Sequence, residues 1–591
     1  MTAQLERAEP SQVRAGRVQA GRGPTRRSLR TRRLVTTLLV VGPLAWALYR
    51  SVPESGDMVN RGGLRLLGGL LGSALQPALG ADFLSRVGAA ALITLVFAAL
   101  GTAGALLIGV GGGLVLSDVV WAARSPALVR GARLVLRCLL VLARSVHELA
   151  WALLLVSVLG LDPLVAVLAI AIPFGAQTAK VFAETLDGVP QGPVAALRRS
   201  GARPGSALAY GILPAAAPLL LSYSFYRFEC AIRSAVLLGV VGVGGLGQEL
   251  VVSLRSRNWD EVWTLIGAVL LLSALVDAWS TRFRADTGVA TSGRSVAPDV
   301  EAELAAAGGA GRRSAAPRPG PRAVPWSRWF ALLLLLPGLV VAWQVAGLSW
   351  AGIASARTRG LLVSLFADLW PPHLPRGGWL VLLDAVLDTV AMAVLAMAVA
   401  VLLTLLLAPW ATRVRRDPEG PGLSAVRRWS GRAGWCLARL LLLVLRSVPP
   451  TVWAVVALLA LFPGVLPGAL ALGLYTGGIL GRLVAEAWEA MDLRSRDALR
   501  YSGVSRPVAA LAAVVPPSVH QLAAYTLYRF EVCIRDTAVV GVVGAAGLGR
   551  LLAENLAVFR FPVVTALLAA FFAVSLLTEL AGRRLQRALL A

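Results

Sequence analysis

Arg227, Glu229 and Arg233 sit inside an otherwise apolar and aromatic stretch, Tyr223-Ser-Phe-Tyr-Arg-Phe-Glu-Cys-Ala-Ile-Arg233. The same types return as Arg529, Glu531 and Arg535 in Tyr525-Thr-Leu-Tyr-Arg-Phe-Glu-Val-Cys-Ile-Arg535. Two kinds of chemistry are open to such residues. A glutamate four positions before an arginine shares its helical face, so Glu229 can pair with Arg233 and Glu531 with Arg535. Alternatively, each planar guanidinium can offer two parallel donors to an oxyanion. The first reading makes the charges structural, and the second makes them the lining of a path. Tyr223, Tyr226, Tyr525 and Tyr528 read as packing residues before they read as ligands.

The elements that must position these groups come next. Tyr226 lies 12 residues past Pro214. At ~1.5 Å per residue, a helix starting at that proline carries the charged run about 18 Å inward. After the arginines each stretch enters a glycine ladder, Gly239-Val-Val-Gly-Val-Gly-Gly-Leu-Gly247 and Gly541-Val-Val-Gly-Ala-Ala-Gly-Leu-Gly549. Gly242, Gly245, Gly247, Gly544, Gly547 and Gly549 either let helices approach closely or provide the unwound backbone of a gate, and both roles are expected together. The likeness is part of a larger repeat: residues 134–250 align with 436–552 without a gap at an offset of 302. From Ser222 to Leu250 against Ala524 to Leu552, 15 of 29 positions are identical, through Tyr, Arg, Glu and Gly as well as common apolar residues. The chain is two copies of one unit.

Composition defines the medium. Hydrophobic residues make up 57%, charged residues 15%, and mean hydropathy is +0.71. Soluble chains carry about a quarter charged residues, and long apolar blocks such as Phe330–Val345, Val390–Leu407 and Val563–Leu577 read as membrane spans. A charge exposed to lipid at mid-depth costs at least ~2.5–3.5 kcal/mol, so the deep arginines must face protein or a watered path. The net charge of +25 is topological. Arginines cluster before the first apolar block, at Arg124–Arg137, at Arg198, Arg199 and Arg203, and over Arg282–Arg322, as the positive-inside rule places them. No basic stripe interleaves with aromatics in a soluble module, so nucleic acid is not expected as a partner. Cys138, Cys230, Cys436 and Cys533 occupy non-equivalent repeat positions, as do His147, His373 and His520, and no metal site is expected. The one lysine, Lys180, stands between Ala179 and Val181, which excludes a P-loop; no HExxH or GxSxG occurs either, and no catalysis is expected.

The expected architecture is all-α and polytopic, with about twelve spans as two parallel six-helix repeats. The spans are read at 34–49, 88–112, 134–159, 162–182, 208–238 and 262–281, then at 329–347, 380–409, 436–461, 464–484, 510–540 and 561–581. Arg144, Glu148 and Arg446 make the third span of each set awkward, so it begins late or contains a break. Residues 1–33 form a basic cytoplasmic tail, 34–283 the first unit, 284–328 a flexible linker and 329–591 the second unit. With no clear cleavage site after it, 34–49 reads as an uncleaved span. An even number of spans between tail and linker gives both units one orientation and a pseudo-two-fold axis along the membrane normal.

Between the fourth and fifth spans each copy carries a polar segment. The first runs from Glu184 through Ala195-Ala-Leu197 to Gly201 and Pro214, and the second from Glu486 through Asp497-Ala-Leu499 to Gly503 and Pro516. The pattern is a short helix, a glycine terminator and a proline that restarts the chain into the membrane. These stretches resemble the EAA loop of ABC-importer permeases. Together with Arg144-Ser-Val-His-Glu-Leu-Ala-Trp151, Ser222–Glu229 and the closing glycines, they resemble the phosphonate/phosphite-type permeases over about 88–283 and 380–581. The chain departs from that pattern where the motif's glutamate is Ala195 and Asp497, and where Ser447-Val-Pro-Pro-Thr-Val452 replaces Ser145-Val-His-Glu-Leu-Ala150.

The resemblance implies a type I ABC-importer permease fold with both protomers fused in one chain, in a bacterial plasma membrane with the N-terminus cytoplasmic. It implies two separate ABC ATPase subunits docking on 184–211 and 486–513, with residues Glu184, Ala195, Ala196, Gly201, Pro214, Glu486, Asp497, Ala498, Gly503 and Pro516 in the coupling segments. It implies an extracytoplasmic substrate-binding protein, a phosphorus oxyanion as substrate, and no cofactor in this chain, ATP being used by the partners. Tyr226, Arg227, Glu229, Arg233, Tyr528, Arg529, Glu531, Arg535 and the six glycines above are the candidates for the path and its gate. The competing class is an ion-coupled secondary transporter with six-plus-six parallel repeats. That class needs coupling carboxylates within the spans, for which Asp162, Asp384 and Asp388 are the candidates, none of them repeated at the offset.

Overall fold

The computed structural model describes residues 41–52, 57–121, 127–189, 192–286, 339–348, 355–412, 425–489, 491 and 493–590. In the first half the helices are α1 (41–51), α2 (Arg61–Gly72), α3 (Ala81–Leu116), α4 (Ala127–Ser145), α5 (Glu148–Leu159), α6 (Pro163–Asp187), α7 (Gly192–Arg199), α8 (Leu213–Leu238), α9 (Leu246–Ser256) and α10 (Trp259–Asp286). The second half repeats the series as α11 (339–345), α12 (Ala356–Asp368), α13 (Gly378–Ala411), α14 (Ala425–Ser447), α15 (Pro450–Ala460), α16 (Val465–Glu489), α17 (Arg494–Tyr501), α18 (Arg506–Val542), α19 (Leu548–Ala557) and α20 (Phe561–Leu590). No sheet forms among the described residues; one isolated antiparallel bridge joins Val59 to Leu461. The chain is a polytopic all-α protein.

Among the described residues, seven helices are long and apolar enough to cross a membrane, and up to ten spans result if each bent pair counts as one. These ten correspond to the expected spans other than 34–49 and 329–347, each of which begins outside the described residues, as do 1–33 and nearly all of 284–328.

The awkward third span is resolved as a corner. α4 and α5 meet at 97°, and α14 and α15 at 93°. His147 caps α5 by accepting the Leu149 amide on Nδ1 at 3.2 Å, whereas Pro449 and Pro450 start α15. Each corner is pinned by a tryptophan at equivalent positions. The Trp151 indole donates to the Ala143 carbonyl at 3.1 Å and Trp453 donates to Leu445 at 3.3 Å, satisfying acceptors that a helix end leaves open.

The halves interlace at their first helices. On α1, Ala47 is fully buried in a core otherwise made by helices of the second half, chiefly α13, α16 and α18 with Ala438, Leu442 and Ala454 of α14 and α15, and Leu44 and Trp46 pack against it. Arg50 follows with ion pairs to Asp384 and Asp388 of α13, the latter at 2.9 Å. In exchange, Ala342 and Leu348, with Leu339, Trp343 and Ala346, pack into the core of the first half. Beyond α1, the Asn60 amide donates to the Ala460 carbonyl at 2.9 Å, tying the first half to the end of α15.

Candidate functional site

The charged runs lie on α8 and α18, but the entry into these helices differs from the sequence expectation. In the first half Pro214 occupies the first turn of α8, after a π turn at Leu208–Ile212. In the second half the helix begins at Arg506, passes through Pro516 and Pro517, and bends by 55° between Val519 and Gln521. Pro516 therefore does not restart the chain; Ser505 and Arg506 do, and the charged run lies deeper along its helix than a count from the proline gives. Glu184 and Glu486 also move. They belong to the last turns of α6 and α16, where Glu184 pairs with Lys180 at 3.8 Å and Glu486 with Arg482 at 2.6 Å, so the polar loops begin after them.

Those loops are short helices standing out from the bundle. On α7, Val194 and Leu197 face a small core with Leu186, Ala207 and Ile212, while Ala196, Arg198, Arg199 and Ser200 are exposed and Ala195 is half-buried. On α17, Asp497 bonds the neighbouring Arg496 side chain at 2.6 Å, Ala498 is exposed, and Tyr501 projects with 92% of its surface accessible. Each helix ends in a left-handed glycine, Gly201 at φ +84° and Gly503 at φ +85°. That conformation costs a residue with a side chain roughly 1–2 kcal/mol.

Between the halves runs a ladder of alternating charge. Arg233 reaches Glu229 at 3.5 Å, Glu229 reaches Arg446 at 3.2 Å, Arg446 reaches Asp277 at 3.2 Å, and Asp277 reaches Arg482 at 3.0 Å. Arg482 continues to Glu486, and Arg439 lies 3.9 Å from Glu486 and 2.9 Å from Glu489. Helices α8 and α10 thus meet α14 and α16 through buried ion pairs. A small cleft opens on this seam, lined by Glu229, Ile232, Arg233, Ser273, Val276, Arg446 and Ser447.

The pseudo-equivalent seam has the same frame with different detail. Arg144 reaches Glu579 at 3.4 Å, and Arg535 reaches Glu531 at 3.1 Å while donating to the Arg144 carbonyl. Here His147 Nε2 stands 3.3 Å from Glu148 and 3.4 Å from Asp536, and Ser234 donates to Glu148 at 2.7 Å. The second copy has Pro449 and Pro450 in place of this His-Glu pair, so the seams have diverged.

Asp277 and Glu579 are 302 positions apart and escaped the sequence reading. The repeat offset itself is the signal that would have found them. They are repeated carboxylates within spans, the kind that an ion-coupled mechanism calls for, yet both are held by arginines of the opposite half. The acids named for that role have other duties: Asp162 caps α6 by accepting the Leu164 amide at 2.8 Å, and Asp384 and Asp388 hold Arg50.

Above the charged runs the glycine ladders form tight turns. Gly242 and Gly245 take φ of +95° and +80°, and Gly544 and Gly547 take +111° and +92°. The Leu246 amide then donates to Thr94, and the Leu548 amide to Thr389, each at 2.9 Å. Gly247 and Gly549 lie in the first turns of α9 and α19 against the ends of α8 and α18. Close approach and unwound backbone are therefore both present.

Twin bundles with paired corners, exposed loop helices and a charged seam define a membrane permease made of two pseudo-symmetric halves. Residues 120–287 and 422–590, more than half the chain, match the family of binding-protein-dependent transport system inner membrane components, and the chain belongs to it. Over 492 residues the chain is 28% identical to the phosphate-import permease protein PhnE of Mycolicibacterium smegmatis, spanning 83% of each protein. It is 37% identical over 146 residues to the phosphite transport system permease protein PtxC of Stutzerimonas stutzeri, a match covering 25% of this chain and 53% of the relative. No solved structure matches it.

Proposed function

We propose that this chain forms the translocation path of an ATP-driven importer for a phosphorus oxyanion of the phosphate, phosphite or phosphonate type. Separate ATPase subunits dock on α7 and α17 and drive the halves between outward and inward access. An extracytoplasmic binding protein delivers the anion, and the N-terminus and the 284–328 linker face the cytoplasm. The observation that carries this reading is the two family matches in one chain, together with a phosphate-import relative similar across both halves. The absence of any P-loop in the sequence agrees with hydrolysis on other subunits. The arginine partners of Asp277 and Glu579 argue against the ion-coupled alternative.

Uptake of labelled phosphate, phosphite and methylphosphonate by cells expressing this chain with its transport partners tests the proposal. At least one anion should accumulate only when the ATPase subunits are intact. Accumulation driven by an ion gradient without nucleotide would sink it. Replacing Gly201 and Gly503 together with valine should leave the protein in the membrane. It should reduce uptake about tenfold, because both loop ends must leave their left-handed geometry. Undiminished uptake by that double variant would remove the coupling role from these loops.

A further inference from the structure

Arg227 and Arg529 occupy equivalent positions, and each is only 8% exposed, yet their surroundings differ. The Arg227 guanidinium lies 5.2, 4.9 and 5.8 Å from the ring centres of Phe174, Tyr223 and Tyr226, and its Nε donates to the Tyr223 hydroxyl at 2.6 Å. It is held in an aromatic cage. Around Arg529 that cage is taken apart. Thr476 stands where Phe174 stands in the first half, and the Tyr525 hydroxyl accepts from the Gln521 amide at 2.6 Å. One Nη of Arg529 donates to Thr476 Oγ1 at a long 3.5 Å, and its buried Nε has no hydrogen-bond partner. Arg529 also has no carboxylate in ion-pair contact among the described residues. Tyr475 replaces Pro173 beside it and lies within electrostatic reach of both Arg529 and Arg233 of the opposite half.

A guanidinium buried within the membrane with no carboxylate in contact is expensive. Arg144, Arg233, Arg439, Arg446, Arg482 and Arg535 each have one, and Arg227 has its aromatic cage instead. What Arg529 lacks is a planar, two-oxygen anionic partner, the arrangement that the guanidinium fork matches best. We propose that Arg529, with the Thr476 hydroxyl, holds the phosphorus oxyanion during its passage, and that Arg227 is its structural counterpart, closed by Phe174. This assignment rests on the function proposed above. A single arginine edge and one hydroxyl suit a transit site, which must bind firmly enough to admit the anion and loosely enough to release it. Duplication within one chain supplies the means: one copy keeps the caged arginine while the other opens it.

Two measurements on the full chain test this. In the first, thermal unfolding of purified protein is followed with inorganic phosphate, phosphite or methylphosphonate against chloride at equal ionic strength. Wild type should be stabilised by at least one oxyanion, and Arg529→Gln should lose that stabilisation. Thr476→Phe, which keeps the charge but rebuilds the cage of the first half, should lose it too. Phe174→Thr should retain it. In the second, the same variants are assayed for uptake, where Arg529→Gln and Thr476→Phe should fall roughly tenfold or more, the loss expected for a charge-assisted hydrogen-bonded partner. An oxyanion shift that persists in Arg529→Gln and Thr476→Phe, or that disappears equally in Phe174→Thr, would overturn the assignment. If wild-type cells take up none of the three anions, the proposed function fails at its substrate, while the stabilisation measurement still decides whether Arg529 binds an oxyanion.

Discussion

Replacing Arg446 with methionine is expected to destabilise the protein by about 3–5 kcal/mol, the cost of removing one partner from a buried ion pair. Arg446 is 8% exposed and lies 3.2 Å from both Glu229 and Asp277, so its loss leaves two carboxylates of the first half facing an apolar side chain. Arg482 still holds Asp277 and Arg233 still holds Glu229, but each at one edge only. The thermal midpoint of detergent-purified protein reads the effect. Adding Glu229→Gln to the variant should restore part of the loss, because the second change removes a charge that the first left stranded. Arg144→Met, the equivalent change on the other seam, should cost less, since Arg144 reaches Glu579 only at 3.4 Å. Equal losses from Arg446→Met and Arg144→Met would mean that the continuous ladder adds nothing beyond single pairs.

Gly247→Ala is the second large effect. A Cβ at Gly247 would stand 1.7 Å from the Val236 carbonyl oxygen and 2.8 Å from its carbon, so the obstacle is backbone and cannot rotate away. Gly239 faces the same junction from the other side, where a Cβ would meet the Gln248 nitrogen at 2.5 Å. The end of α8 and the start of α9 are therefore in direct main-chain contact, and a methyl group must push them apart. Overpacking of this kind costs at least ~1–3 kcal/mol, and with no side chain able to yield, the upper end is expected. Gly549→Ala meets its nearest atoms, the Ala538 Cα and the Thr537 oxygen, at 2.8 Å, and should be milder. The same thermal measurement separates them, and a Gly247→Ala midpoint equal to wild type would show that the junction opens freely.

What the residues alone disclosed was whatever falls within one helix or one repeat register. Glu229 with Arg233 and Glu531 with Arg535 follow from spacing on a helix, and both pairs form, at 3.5 and 3.1 Å. The break in the third span was legible because Arg144, Glu148 and Arg446 would otherwise be charges within an apolar run. Contacts between halves were not legible. Arg446 meets Glu229 and Asp277 across 217 and 169 residues of chain, and helical periodicity carries no record of which face of one bundle meets another. Asp277 and Glu579 look like single acids near the ends of apolar helices until their partners are placed beside them. Pro516 misled for a related reason: it lies inside a helix that starts at Arg506 and bends by 55° just past the two prolines, and a bend within a helix reads locally as a start.

The exchange of first helices changes what the moving parts of this molecule are. Because α1 is built into the second half and Ala342 with its neighbours into the first, neither mechanical body coincides with a sequence repeat. Each core takes in a stave borrowed from the other copy. Any rocking that opens the seam must carry α1 along with α13, held by Arg50, while 57–80 and the contact of Asn60 with Ala460 take up the difference. The halves can tilt, but they cannot come apart.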